Sequence, residues 1–249
     1  MENLRDNLAI WLHQLLRLPK PELIVIIRHG QSATNELHDQ GQAMTVEAAQ
    51  SSVLDVPDHK VPLTALGHHQ AVAIGPKVKE LYGLFDVIYH SGYLRTIQTR
   101  DGFLKAYTPE EIAKMKMRLN PKLGERQRGY LYDLSKEQID ELYPQFEAYQ
   151  KKHGYFWSRP PGGEAQYDAA IRTYDVVGEI FRHRPKQKVC IVCHGGTKRN
   201  ILYNILGWTP DQYEADAANG PCANASVTEL RRNHKTNKLE LHSYNQAYY

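Results

Sequence analysis

Two stretches of the chain are apolar without any polar alternation, Leu23-Ile24-Val25-Ile26-Ile27 and Val189-Cys190-Ile191-Val192-Cys193, and each runs into a histidine followed by a glycine. Runs of about five residues rich in Ile and Val predict parallel strands buried on both faces. A third short run, Phe85-Asp86-Val87-Ile88-Tyr89, leads in the same way to His90 and Ser91. Between the runs the spacing changes to that of helices. Leu66, Ala71, Ile74, Val78 and Leu81 predict a helix from Thr64, another begins near Leu94, and Ala169, Ile171, Tyr174, Val177, Ile180 and Phe181 predict an amphipathic helix leading into the Val189 run. Strand and helix alternate, which predicts an α/β fold with a mostly parallel central sheet flanked by helices. Leu4, Leu8, Trp11, Leu12, Leu15 and Leu16 predict a further amphipathic helix over 3–18, ended by Pro19. Val227 to Leu230 and Leu239 to His242 read as strands around a solvated basic turn.

Two segments break this alternation. Residues 31–62 are polar and too long for an ordinary connection. Residues 108–162 hold only short helical candidates, one opened by Ser135, Glu137 and Gln138 and interrupted at Pro144. Long connections of this kind usually carry function, and both are expected to act as lids over a crevice.

At 249 residues, with no Ser/Gly-rich or Pro-rich linker, the chain is expected to form one domain over 1–249. Its 31 Lys and Arg against 28 Asp and Glu leave a formal charge of +3, too small and too scattered to predict a nucleic-acid or acidic-membrane partner. Three cysteines make no disulfide framework and no secretory leader stands out, so the expected location is the cytoplasm. The helix over 3–18 is expected to pack on the sheet or between two copies of the chain, which leaves a homo-oligomer open, rather than to anchor in a membrane.

In an open α/β sheet, ligands bind beyond the carboxyl ends of the strands. The two apolar runs therefore deliver Arg28, His29 and His194 to one crevice. His194-Gly195-Gly196-Thr197 opens a helix directly after a strand, where free backbone N–H groups and the positive dipole end attract an anion. Arg95, after the third run, adds a fixed cation at the same edge. Two arginines and two histidines can enclose a tetrahedral phosphate dianion without a metal, so no metal site and no cofactor is expected. Cys190 and Cys193 have the spacing of a redox or zinc pair, but an offset of three on a strand puts them on opposite faces. The bland reading for them is buried apolar thiols. Glu164, after two glycines at a helix start, fits a dipole-stabilising role at least as well as a catalytic one.

The chain resembles the histidine phosphatase, or phosphoglycerate-mutase-like, superfamily. The resemblance is carried by Arg28-His29-Gly30-Gln31-Ser32-Ala33-Thr34-Asn35, Leu63-Thr64-Ala65-Leu66-Gly67-His68-His69-Gln70-Ala71, Ser91 to Thr99, Glu125-Arg126-Gln127-Arg128-Gly129, Pro161-Gly162-Gly163-Glu164 and Cys193-His194-Gly195, in family order. It implies that His29 attacks phosphorus, that Arg28, Arg95 and His194 neutralise the phosphoryl oxygens, that Asn35 and Gly195 add hydrogen bonds, and that Glu125 protonates the leaving oxygen.

Within that family the acid-phosphatase and phytase branch is disfavoured, because Gly195 stands where that branch has an aspartate. The preferred expectation is a phosphatase acting on small phosphomonoesters. The alternative is a 2,3-bisphosphoglycerate-dependent mutase, favoured by Lys136 and by Lys151-Lys152. It is opposed by the missing tryptophan before Asn35 and by Arg128 in place of an aromatic residue. A catalytically inactive binding protein on the same fold is disfavoured, because His29, Arg28, Arg95 and His194 are all present.

Overall fold

The computed structural model describes residues 19–39, 56–132, 134 and 136–249. The helix expected over 3–18 and most of the 31–62 segment lie outside them. Among the described residues, six strands form one sheet: β1 (Leu23–Arg28), β2 (Val87–His90), β3 (Lys116–Leu119), β4 (Lys188–Cys193), β5 (Val227–Asn233) and β6 (Lys238–Gln246). Their order is β3-β2-β4-β1-β5-β6. β1, β2, β3 and β4 are parallel, whereas β5 runs antiparallel to β1 and β6 antiparallel to β5. Nine helices accompany the sheet among these residues: α1 (Ala33–Asp39), α2 (Ala65–Tyr82), α3 (Leu94–Leu104), α4 (Pro109–Ala113), α5 (Lys136–Leu142), α6 (Phe146–His153), α7 (Gln166–His183), α8 (Gly195–Leu206) and α9 (Pro210–Ala218).

Both faces of the sheet are covered, which is why its central strands carry no polar alternation. Val25, Ile27, Ile88, Cys190 and Val192 pack against Ile74 and Val78 of α2 and Phe103 of α3. The alternate residues Ile24, Ile26, Val87, Tyr89, Ile191 and Cys193 pack on the other face against Val176, Val177 and Ile180 of α7 and Ile201 and Leu202 of α8. Each such Val, Leu or Ile contributes about 1.5–3 kcal/mol. Cys190 and Cys193 accordingly sit on opposite faces, both free and buried, as their spacing predicts. Burial pushes both thiols up, so neither is a thiolate near neutral pH.

The middle of the chain departs from its sequence reading. Residues 116–119, Lys-Met-Arg-Leu, lie in a stretch where only short helices are expected, yet they form the edge strand β3 beside β2. A four-residue edge strand buries little, so its apolar signal is weak. The helical candidates on either side do form, as α4, α5 and α6, and Pro144 separates the last two. No helix among the described residues is long and apolar enough to cross a membrane.

Thr64 caps α2 by accepting from the Gly67 amide at 3.1 Å. The first turn of α2 lies against the chain leaving β1. A Cβ at Gly30 would overlap the Gly67 carbonyl oxygen, and one at Gly67 would overlap the Gln31 carbonyl oxygen. Gly67→Ala must therefore push α2 away from the loop that carries His29. A loss of about 1–3 kcal/mol is expected in chemical denaturation, as for an overpacked core, with activity falling alongside.

Candidate active site

Pairing of β1 with β4 sets Arg28 opposite Cys193, so both strands end at the same level. His29 continues β1 and His194 continues β4. Their rings meet edge-on, with centroids 5.2 Å apart. Arg95 enters from the first turn of α3, which follows β2, and Tyr93 stacks between it and His194. The Arg95 guanidinium lies 4.9 Å from the Tyr93 ring centroid, and the Tyr93 and His194 rings are 4.8 Å apart. The structure thus brings together the residues that the strand-end argument assigns to one crevice.

Each member of the cluster is held from behind. The His29 Nδ1–H donates to the Gly30 carbonyl at 2.7 Å. A carbonyl can only accept, so the proton is fixed on Nδ1 and the lone pair is left on Nε2. The Thr99 hydroxyl accepts from the Gly30 amide at 3.0 Å and donates to the Arg95 carbonyl at 2.7 Å, tying α3 to the end of β1. Arg28 donates through Nη1 to the Cys222 carbonyl, in the loop before β5. His194 Nε2 lies 2.9 Å from the Ser91 hydroxyl, while its Nδ1 is buried with no hydrogen-bond partner. An unsatisfied buried nitrogen costs free energy that a ligand oxygen would recover.

Charge and burial act on the histidines in one direction. Burial, reinforced by Arg95 and Arg28, holds the His29 imidazole well below its ordinary pKa. His194 is lowered in the same way, by burial and then by Arg95 and the His29 ring. Both rings are therefore neutral at pH 7, and His29 presents an unprotonated nitrogen inside a cationic pocket.

Glu125 follows β3 through a 3₁₀ turn at Pro121–Leu123. The Arg172 guanidinium of α7 gathers that turn by donating to the carbonyls of Lys122 at 2.6 Å, Gly124 at 2.8 Å and Glu125 at 3.0 Å. Thr197 of α8 donates to the same Gly124 carbonyl at 2.8 Å. The Glu125 carboxylate is thereby brought to the first turn of α8: Oε1 accepts from the Arg126 amide at 2.9 Å, and Oε2 lies 3.4 Å from the Gly196 amide. A Cβ at Gly196 would stand only 2.6 Å from Oε1, so glycine is what lets the carboxylate approach. Gly195, the first residue of α8, has the Arg28 side chain beside its Cα. Asn35 is oriented by Ser32, its Oδ1 accepting from the Ser32 amide at 3.3 Å and from the Ser32 hydroxyl at 3.1 Å.

Three placements differ from the sequence reading or add to it. Glu164 stands directly before the N-cap of α7. Its carboxylate binds Arg172 at 2.9 Å and accepts from the Gln127 amide at 3.0 Å, a clamp that closes the Glu125 segment. Lys151 of α6 is exposed and pairs with Glu147 at 2.9 Å in solvent. Asp58, in a 3₁₀ turn at Asp58–Lys60, lies on the Arg95 guanidinium, a contact to which the sequence reading assigns no role. No group of three or more metal-ligating side chains occurs among the described residues.

A phosphoryl-transfer pocket is what this fold and cluster define, and comparison with known proteins agrees. The profile of the Histidine phosphatase superfamily (branch 1) matches residues 24–245, and the chain belongs to that superfamily. A 2,3-bisphosphoglycerate-dependent phosphoglycerate mutase of Bartonella tribocorum is 28% identical over 189 residues, covering 74% of this chain and 81% of that protein. A phosphoglycerate mutase-like protein of Arabidopsis thaliana is 26% identical over 214 residues, 78% of this chain and 69% of its own length. Among solved structures, a mycobacterial glucosyl-3-phosphoglycerate phosphatase has a TM-score of 0.65 at 23% identity, over 90% of this chain and 99% of that one. A putative alpha-ribazole-5'-P phosphatase from Escherichia coli has a TM-score of 0.69 at 16% identity, over 92% and 98%. At these identities the two structures speak to fold alone.

The depressed histidines set a pH dependence of stability. His29, His194 and also His90, lowered to about 4 by burial and Arg100, stay neutral in the folded protein while the unfolded chain takes up protons below about pH 6.5. Folded-state pKa values below the unfolded ones mean that stability falls as the pH drops. Between pH 6.5 and 5 each histidine should remove up to about 1.4 kcal/mol per pH unit. Urea midpoints measured from pH 8 to pH 5 should be level above pH 7 and decline below 6.5. A midpoint that rises on acidification contradicts the assignment.

Proposed function

We propose that this protein is a phosphatase of small phosphomonoesters that works through a phosphohistidine on His29. The observation that carries the reading is His29 itself: a buried ring, its Nδ1 proton committed to Gly30, its Nε2 unprotonated between Arg28 and Arg95. Nε2 attacks phosphorus as the bond to the leaving oxygen breaks, and Glu125 delivers a proton to that oxygen. Arg28, Arg95, the His194 ring and the Gly195 amide, with a hydrogen bond from the Asn35 side-chain amide, carry the charge of the three remaining oxygens. In the second half Glu125 takes a proton from water, water attacks phosphorus, the N–P bond breaks, and phosphate and the original imidazole are restored. The cations already present supply the charge that a metal would, so the reading includes neither metal nor cofactor. It is that of one phosphoryl-transfer domain acting in the cytoplasm on a small substrate.

Mutase activity is the second reading, because relatives such as the Bartonella protein bear that name. A mutase must also grip its phosphoglycerate through cations. Lys151, expected to belong to such a basic pair, stands in solvent with Glu147. Incubation with 3-phosphoglycerate and a 2,3-bisphosphoglycerate primer separates the two readings. Free phosphate is expected to exceed 2-phosphoglycerate at least ~10-fold, the partition expected where water reaches the phosphoenzyme. Rapid formation of 2-phosphoglycerate with little phosphate reverses the choice.

A further inference from the structure

Arg95 has a carboxylate on it that the phosphoryl chemistry does not need. Its Nη1 lies 2.9 Å from Asp58 Oδ1 and donates to the Asp58 carbonyl at 2.6 Å, so side chain and backbone of one residue hold one nitrogen. Tyr132, from the other long segment, donates through its hydroxyl to the same Oδ1 at 2.8 Å. The arginine is 4% exposed and the aspartate side chain 25%, so the guanidinium is buried beneath a carboxylate that solvent reaches. Exposed ion pairs are worth little and form and break freely, but a guanidinium this deeply buried is not such a case. Because both Asp58 contacts fall on Nη1, Arg95 can hold a phosphoryl oxygen through its remaining N–H groups without releasing the carboxylate.

We infer that Asp58 is a specificity-determining residue that excludes substrates bearing a second anionic group near the phosphate, and that the natural substrate is a phosphomonoester with a neutral, hydroxyl-bearing leaving group. This selectivity presupposes the phosphoryl-transfer site proposed above. A carboxylate sharing a guanidinium with the phosphoryl group stands about 6 Å from it, and a second anion on the substrate meets that carboxylate at comparable range. In a pocket of intermediate dielectric, repulsion at such a distance discriminates by roughly 10-fold to 100-fold. A hydroxyl in the same place is an opportunity, since Asp58 can accept from it, with the Tyr132 phenol holding the carboxylate in position.

Two nearby cations are already engaged elsewhere. Arg172 is spent on Glu164 and three backbone carbonyls, and Arg126 donates to the Glu164 carbonyl at 3.1 Å with its guanidinium 5.7 Å from the Tyr155 ring centroid. His59 and Lys60, on the same turn as Asp58, are exposed.

Glycerol 3-phosphate and 3-phosphoglycerate form a matched pair of probes, differing by a hydroxymethyl group in place of a carboxylate. Wild type is expected to favour glycerol 3-phosphate at least ~10-fold in kcat/KM, mostly through KM, and Asp58→Asn to reduce that ratio at least ~5-fold. Tyr132→Phe keeps the charge and should reduce it by no more than ~2-fold. The same ratios should appear as dissociation constants measured by calorimetry in a His29→Ala background, where no turnover occurs. If p-nitrophenyl phosphate is not hydrolysed by wild type, the phosphatase reading fails, yet the binding ratio still tests Asp58. Equal losses for both probes in Asp58→Asn, or a wild-type preference for 3-phosphoglycerate, overturn the inference.

Discussion

Parallel pairing of β1 with β4 is the constraint on which the rest depends. It places Arg28 against Cys193, so the next residue of each strand, His29 and His194, emerges at one level and the rings touch. The pairing is enforced by the two apolar layers. Each strand is buried on both faces, and a slip by one residue would turn Val25 and Ile27 to the face built for Ile24 and Ile26. Stability and function are therefore not separate features here: the burial that fixes the register also fixes the distance between the two imidazoles.

The same burial sets the chemistry. Burial disfavours the charged form of the His29 and His194 rings, and the arginines that would bind a phosphate also repel a proton from them. A nucleophilic nitrogen stays available because the site is cationic before the substrate arrives. Around this centre the fold supplies supports rather than reactants. Thr99 ties α3 to β1, Arg172 gathers the Glu125 turn, and glycines at 67 and 196 allow close approach where a methyl group would interfere.

What could be read from the sequence divides along physical lines. Central strands and the helices from Thr64 and Leu94 were legible because apolar burial leaves a periodic pattern over a few neighbouring residues. His29, Arg28, Arg95 and His194 were legible because they end those strands or open the helices after them. β3 was missed because a short edge strand with one face in solvent carries little apolar signal. Glu164 and Arg172 form a clamp between segments eight residues apart that serves a third at Lys122 to Glu125, and such a relation has no local trace. Asp58 is the same kind of case. Its meaning comes entirely from Arg95, 37 residues away, and from Tyr132, 74 residues away.

His29, as proposed, carries the phosphoryl group between substrate and water. Rapid quenching with a phosphomonoester labelled at phosphorus, followed by peptide mapping at alkaline pH, addresses it directly. Label is expected in an acid-labile, alkali-stable N–P bond in the peptide containing His29, formed and lost within the turnover time. Label on another residue, or turnover with inversion at a chiral phosphorus and no covalent intermediate, contradicts it.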